Sequence, residues 1–206
     1  MNRLLAPLLA ATWLAACAGE PDIRPNVVLQ TEAGEIEIEV HSDTAPISAA
    51  DFLLHVDEGL YDGAGFYRTV RPDNDPRGMG MSLIQGGLLS QEPVTPAIAH
   101  ERTTDTGLSN VRGTVSIARD EPGTGSAAYF FINIGDNSFL DTFSENGGVS
   151  RNPDGEGYAS FGRVVRGMDV VEIIQAGRSD ADSDVEVTAG QILDTPVVIE
   201  RAFRVD

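Results

Sequence analysis

The sequence predicts a mostly β domain that closes into a barrel or sandwich and carries helices at its ends. Three observations lead there. Short apolar runs recur along the chain, separated by clusters of Gly, Asn, Asp and Pro. One run, at 35–40, alternates strictly: Ile36, Ile38 and Val40 fall on one face and three glutamates on the other, as in a strand half in a core and half in water. Only two segments carry a helical period, and no internal repeat is visible.

Residues 27–32 and 35–40 flank Ala33-Gly34 and read as a hairpin. Asp43 is a cap candidate ahead of Pro46, which opens a helix running to Gly59. Ala49, Phe52, Leu53 and Val56 fall at i, i+3, i+4 and i+7 and form its apolar face. Strand-like runs return at 66–70, 83–84, 114–118 and 128–134. A second helix is expected over 167–176 with Val170, Ile173 and Ile174 inward, and a last strand over 196–203. In the run at 128–134, Tyr129, Phe131 and Asn133 share one face and Phe130, Ile132 and Ile134 the other. One of these faces must look away from a barrel interior, so an exposed aromatic there suits a binding groove.

With 206 residues, the chain holds one domain of ordinary size. Acids outnumber bases by 32 to 14, the net charge is −18, and every base is arginine. Such a surface repels phosphate backbones and anionic headgroups, which argues against a nucleic-acid role. The single cysteine, Cys17, excludes internal disulfides, a C-x-x-C redox site and a multi-cysteine zinc site.

That cysteine closes an apolar start. Residues 1–16 carry Arg3 and then an apolar stretch too short to span a bilayer, which fits a signal peptide. Leu14-Ala15-Ala16-Cys17 resembles the lipobox of bacterial lipoproteins, which implies lipidation of Cys17 as the mature N-terminus. Cleavage after Ala18 and release as a soluble periplasmic protein is the alternative. Residues 17–25 form a tether, and the folded domain is expected over 26–206.

Common catalytic constellations are missing: there is no G-x-S-x-G elbow, H-E-x-x-H, Walker loop or G-x-G-x-x-G. His41, His55 and His100 are not spaced as metal ligands. Asp180, Asp182, Asp184 and Glu186, and the turn at 152–156, complete no calcium loop and read as solvated acidic segments. No metal is expected.

An ordered series of local sequences does stand out. Ala45-Pro46, Gly59-Leu60-Tyr61-Asp62-Gly63, Gly65-Phe66-Tyr67-Arg68, Ile84-Gln85-Gly86-Gly87 and Arg112-Gly113-Thr114-Val115-Ser116-Ile117-Ala118-Arg119 follow one another. Then come Tyr129-Phe130-Phe131-Ile132-Asn133-Ile134, Asn137-Ser138-Phe139-Leu140-Asp141 and Phe161-Gly162-Arg163-Val164. In this order, over about 180 residues, the chain resembles the cyclophilins, and its wording is most similar to their periplasmic bacterial branch. The resemblance implies a closed antiparallel eight-stranded β-barrel capped by two α-helices, and peptidyl-prolyl cis-trans isomerase activity. It implies that Arg68 is the catalytic arginine with Gln85 beside it. Leu83, Ala118, Arg119, Tyr129, Phe131, Phe139, Leu140 and Tyr158 become the substrate-binding residues. It further implies a monomer without cofactors that acts on proline-containing segments of folding envelope proteins, with membrane contact through the lipid alone. Two positions depart from the pattern. Tyr129 stands where the family has glutamine, and Ser82 where it has an aromatic, so the proline pocket is expected to lack one wall. These departures keep open a catalytically weak module that only binds proline-containing segments.

The absence of nucleophile and metal motifs suits this chemistry. Rotation about an X-Pro bond meets a barrier of about 18–20 kcal/mol without any bond breaking. A fixed guanidinium donating to the nitrogen of the twisted amide would lower that barrier selectively.

Overall fold

The computed structural model describes residues 24–90, 95–143, 152–183 and 185–205. The leader at 1–16, Cys17 and the tether up to 23 lie outside the described residues, as do 144–151 and Asp184 of the acidic segment. Eight strands close into an antiparallel barrel in the order β1-β2-β7-β5-β6-β4-β3-β8. They are β1 Asn26–Thr31, β2 Gly34–Val40, β3 Gly65–Val70, β4 Leu83–Gly87, β5 Thr114–Ile117, β6 Tyr129–Asn133, β7 Ser160–Arg166 and β8 Ile192–Val205. The last strand is longer than its apolar run, because it closes the barrel by pairing with both β1 and β3.

The β1–β2 hairpin turns at Glu32-Ala33, one residue earlier than expected, since Thr31 pairs with Gly34. The Thr31 hydroxyl decides this: it donates to the Gly34 carbonyl at 2.7 Å and accepts from the Ala33 amide at 3.2 Å. On β2, Ile36, Ile38 and Val40 are fully buried. The glutamate face makes ion pairs instead, Glu37 with Arg166 at 2.9 Å and Glu39 with Arg24 at 3.3 Å.

Helix α1, Pro46–Asp57, buries the expected face of Ala49, Phe52, Leu53 and Val56, and His55 with it. Its cap differs from expectation. Asp43 does not cap it; that carboxylate pairs with Arg24 at 2.8 Å, and the hydrogen bond from Arg24 pulls its pKa down to about 2. The first amides are satisfied from a distant loop, where Glu101 accepts from Ile47 and Ser48 at 3.1 and 2.8 Å. Phe52 then enters the barrel end and meets Tyr61, Phe130 and Phe161 with ring centroids 4.9–5.8 Å apart.

A one-turn helix α2, Thr103–Thr106, was not foreseen. Helix α3, Met168–Gln175, packs beside β2, β3 and β4 and buries Val171 and Ile174. The expected inward Ile173 is 60% exposed. At about 100° per residue it stands roughly 200° from Val171, on the opposite face. Val170 is partly buried against the core.

Candidate functional site

The site lies outside the barrel. Along β6, Phe130 and Ile132 are fully buried in the interior cluster, while Phe131 joins a second cluster with Val70, Met81, Leu83 and Leu140. Ala118, Phe139 and Tyr158 pack against this outer group. Phe131 meets the Tyr158 ring edge-on, 5.4 Å between centroids at 87°. The alternation that read as two faces in the sequence therefore separates a core from a socket.

A groove runs across this face, lined among others by Tyr67, Arg68, Met81, Leu83, Gln85 and Phe131. Consecutive side chains of a regular strand point to opposite sides, yet Tyr67 and Arg68 both reach the groove. The cause is a bulge: Phe66 pairs with Gly86 and Arg68 with Gln85, so two residues of β3 stand against one step of β4. On β4, Leu83 and Gln85 face the groove and Ile84 the core. The strand ends in Gly86-Gly87 for a steric reason. A Cβ on Gly87, whose φ is +139°, would lie 2.0 Å from the Ala128 carbonyl oxygen.

The Arg68 guanidinium is held by two glutamines. Nη1 donates to Gln85 Oε1 at 2.8 Å, while Nε and Nη2 donate to Gln191 Oε1 at 3.0 and 2.7 Å. Gln85 Nε2 in turn donates to the Tyr67 hydroxyl at 2.9 Å. Burial pushes the Tyr67 phenol up to about 12, so it stays a neutral hydroxyl at working pH. Gln191 is fully buried and had no signal in the sequence beyond standing just before the last strand.

The loop side of the groove departs from the expectations in three ways. First, the missing wall is present. Ser82 does not line the groove; its hydroxyl accepts from Gln175 Nε2 at 2.9 Å, toward α3. Met81 stands in the groove instead, 6% exposed and within the outer cluster. The long loop between β3 and β4, residues 71–82, delivers it by folding around Asp75, whose carboxylate accepts the amides of Arg77, Met79 and Met81 at 2.9–3.2 Å. Second, Arg119 lines the groove as expected, but its guanidinium is engaged by the protein itself. Its Nε donates to the Gly157 carbonyl at 2.9 Å, and Nη1 and Nη2 reach Asp154 at 3.0 and 3.1 Å. Its guanidinium also sits 5.3 Å above the Tyr158 ring, so it braces that wall. Third, Phe139 packs against the cluster without lining the groove, which Leu140 does. Tyr129, Ala118 and Tyr158 line it as expected.

Beneath the socket lies a buried polar layer. Asn137 Nδ2 donates to the Ser82 carbonyl at 2.9 Å and to Asn133 Oδ1 at 2.7 Å. Asp141 accepts from the amide and side chain of Asn110 at 2.7 and 2.8 Å. This layer fixes the 3₁₀ turn Ser138–Leu140 against β4 and β6, and with it Leu140. Among the described residues no three His, Cys, Asp or Glu side chains are grouped to hold a metal ion, and no helix is long and apolar enough to cross a membrane. Glu156 pairs with Arg102 at 2.5 Å and Asp180 with Arg178 at 2.9 Å.

A closed eight-stranded barrel with an apolar socket and a braced arginine on its outer wall is the architecture of a cyclophilin. The comparisons agree. The family model described as cyclophilin type peptidyl-prolyl cis-trans isomerase/CLD matches residues 26–197. Peptidyl-prolyl cis-trans isomerase A of Dickeya dadantii is 33% identical, over 98% of this chain and 96% of its own length. Peptidyl-prolyl cis-trans isomerase cyp18 of Streptomyces antibioticus is 37% identical, over 86% of this chain and 96% of its own. A cyclophilin type isomerase of Cryptosporidium parvum, solved in the presence of the dipeptide Ala-Pro, superposes with a TM-score of 0.62 at 18% identity, covering 88% of this chain and 99% of that one. The chain belongs to the cyclophilin-type peptidyl-prolyl cis-trans isomerases and is an enzyme of that kind.

Proposed function

We propose that Arg68 catalyses rotation about X-Pro bonds seated in the outer groove, with the proline ring in the socket of Met81, Leu83, Phe131 and Leu140. The observation that carries this reading is the braced guanidinium at the edge of that socket. An untwisted amide nitrogen shares its lone pair with the carbonyl and accepts no hydrogen bond. On twisting it regains the lone pair, and Arg68 can donate to it. That bond exists mainly in the transition state, so it raises kcat rather than tightening ground-state binding. Every ~1.4 kcal/mol of such selective stabilisation gives about tenfold in rate. No proton changes hands and no covalent bond forms.

The substrates are proline-containing polypeptides; the Cryptosporidium parvum relative, solved in the presence of Ala-Pro, supports that class. Arg68→Ala is expected to lower kcat/KM by about tenfold to a hundredfold in a protease-coupled assay on an Ala-Pro peptide, with the fold intact. Arg68→Lys should rescue little, because a flexible point charge does not replace a planar fork held at three points. Full activity in Arg68→Ala would remove this residue from the mechanism.

The setting is an extension of the same reading. Residues 1–16 act as an export signal, Cys17 is the lipidated mature N-terminus, residues 17–25 tether the domain of 26–206, and the clients are exported proteins. A lipidated chain stays on the membrane because each buried CH₂ contributes about 0.8 kcal/mol, whereas the −18 charge holds the barrel off anionic headgroups. Fractionation with mass spectrometry should find lipidated Cys17 in the membrane fraction and an unlipidated, released Cys17→Ser protein. An unmodified N-terminus at Gly19 in the soluble envelope fraction would mean simple secretion.

A further inference from the structure

Gln191 is a fully buried glutamine whose two ends serve different parts of the site. Its Oε1 takes two of the three hydrogen bonds described for the Arg68 guanidinium, at 3.0 and 2.7 Å. Its Nε2 donates to the main-chain carbonyl of Asn74 at 2.8 Å. Asn74 belongs to the long loop after β3, and its side chain donates to the carbonyls of Thr69 and Gly190, at 3.3 and 2.9 Å, on either side of that link. The same loop carries Pro76, Arg77 and Met81 into the groove. The backbone on each side of Gln191 is tied down as well: its amide donates to Thr188 O, and its carbonyl accepts from the Thr69 amide at 2.8 Å.

Geometry explains why this residue matters. Gln85 engages the guanidinium at one nitrogen, Nη1. Two further bonds to one oxygen, at Nε and Nη2, fix the plane of the fork. Sub-ångström placement of a catalytic group is worth large factors in rate. The bond from its amide end to the Asn74 carbonyl keeps the oxygen of Gln191 turned toward Arg68.

We infer that Gln191 is a positioning residue for the isomerisation: it sets the plane of the Arg68 guanidinium. This rests on the catalytic reading of Arg68 given above. Gln191→Met keeps the length and burial of the side chain and removes both hydrogen-bonding ends. The expected result is a fall of about tenfold in kcat with KM for an Ala-Pro peptide within twofold. In an Arg68→Ala background the same substitution should cost nothing more, because its effect runs through Arg68. Gln191→Glu keeps an acceptor for Nε and Nη2 and should retain most of kcat. The ¹⁵Nε–H resonance of Arg68 should be sharp and protected in the wild type and in Gln191→Glu, and exchange-broadened in Gln191→Met. Undiminished kcat in Gln191→Met overturns the proposal. So does an equal further loss in the Arg68→Ala background, which would mark a general structural role. If Gln191→Met does not fold, a Gln191→Glu protein with tenfold lower kcat or an unprotected Arg68 resonance overturns it as well. An active Arg68→Ala protein is a separate result, read from that variant alone, and would bring down the catalytic reading first.

Discussion

On one side of the groove Arg68, Leu83, Gln85 and Phe131 stand on strands β3, β4 and β6, whose ladders are part of the barrel itself. On the other side Met81, Arg119, Asp154 and Tyr158 are carried by connecting segments, and side-chain hydrogen bonds hold those segments in place. The strand side is determined by register: moving Arg68 relative to Gln85 would shift a ladder that also buries Phe66 and Ile84. The loop side depends on single contacts, the Asp75 carboxylate under Met81 and the Arg119 fork under Tyr158. The difference suggests a division of labour, with rate set on the rigid side and substrate preference on the adjustable one.

The largest expected effect comes from Phe131, which stands at the meeting of the two sides. Phe131→Ala removes a ring that is 4% exposed and should cost about 3–5 kcal/mol in urea unfolding. Titration with a labelled proline peptide should show at least about a tenfold loss of affinity, since the socket floor and the partner of Tyr158 go together. Tighter binding by this variant would place the proline elsewhere.

Met81 tests the loop side on its own. Met81→Ala should weaken peptide binding about threefold to tenfold and leave kcat within twofold. A fall in kcat with unchanged affinity would break the division between the two sides. Ser82 offers the converse. A phenylalanine there would have to displace the Gln175 contact, and it would crowd Gly135, on which even a methyl group would lie only 3.1 Å from the Ser82 Cβ. Ser82→Phe should therefore lower stability by about 1–3 kcal/mol without improving binding.

The smallest effect is expected at Asp154. The hydrogen bond from Arg119 holds its carboxyl below the usual carboxylate range. A depressed folded-state pKa contributes stability that is present above about pH 4 and is lost as pH falls through the lower folded value. Peptide affinity measured from pH 6 downward should hold through about pH 4 and weaken only as pH falls through that lower folded value. Asp154→Asn should show the weaker affinity, about twofold to threefold, at every pH and flatten the profile. An unchanged profile would mean that the Arg119 brace does not hold the Tyr158 wall.

The same division governs what could be read from the sequence. The hairpin, α1 and the alternation of β6 follow from local patterns of period 2 or 3.6, and the place of Gln85 beside Arg68 from the family resemblance that the ordered motifs carry. What escaped is made by contacts that leave no period. Glu101 caps a helix that begins 55 residues earlier, where Asp43 had been the local candidate. Met81 takes the place assigned to an absent aromatic at Ser82, because the twelve-residue loop 71–82 folds back on Asp75. Gln191 reaches Arg68 across 123 positions of sequence. The misplaced Ile173 has a different origin: the inward face of the helix is centred on Val171 and Ile174 with Val170 beside them, and Val171 had not been counted as part of it, so Ile173 falls outside.

The central claim is that Arg68 acts on the twisted amide and not on the bound ground state. Exchange NMR on a single Ala-Pro peptide measures both quantities in one sample, the dissociation constant from titration and the cis–trans rate of the bound peptide from exchange cross-peaks. For Arg68→Ala against the wild type, the prediction is a dissociation constant within about twofold and a bound-state exchange rate at least about tenfold slower. A variant whose bound peptide exchanges at the wild-type rate, with all of its lost activity explained by weaker binding, would contradict it.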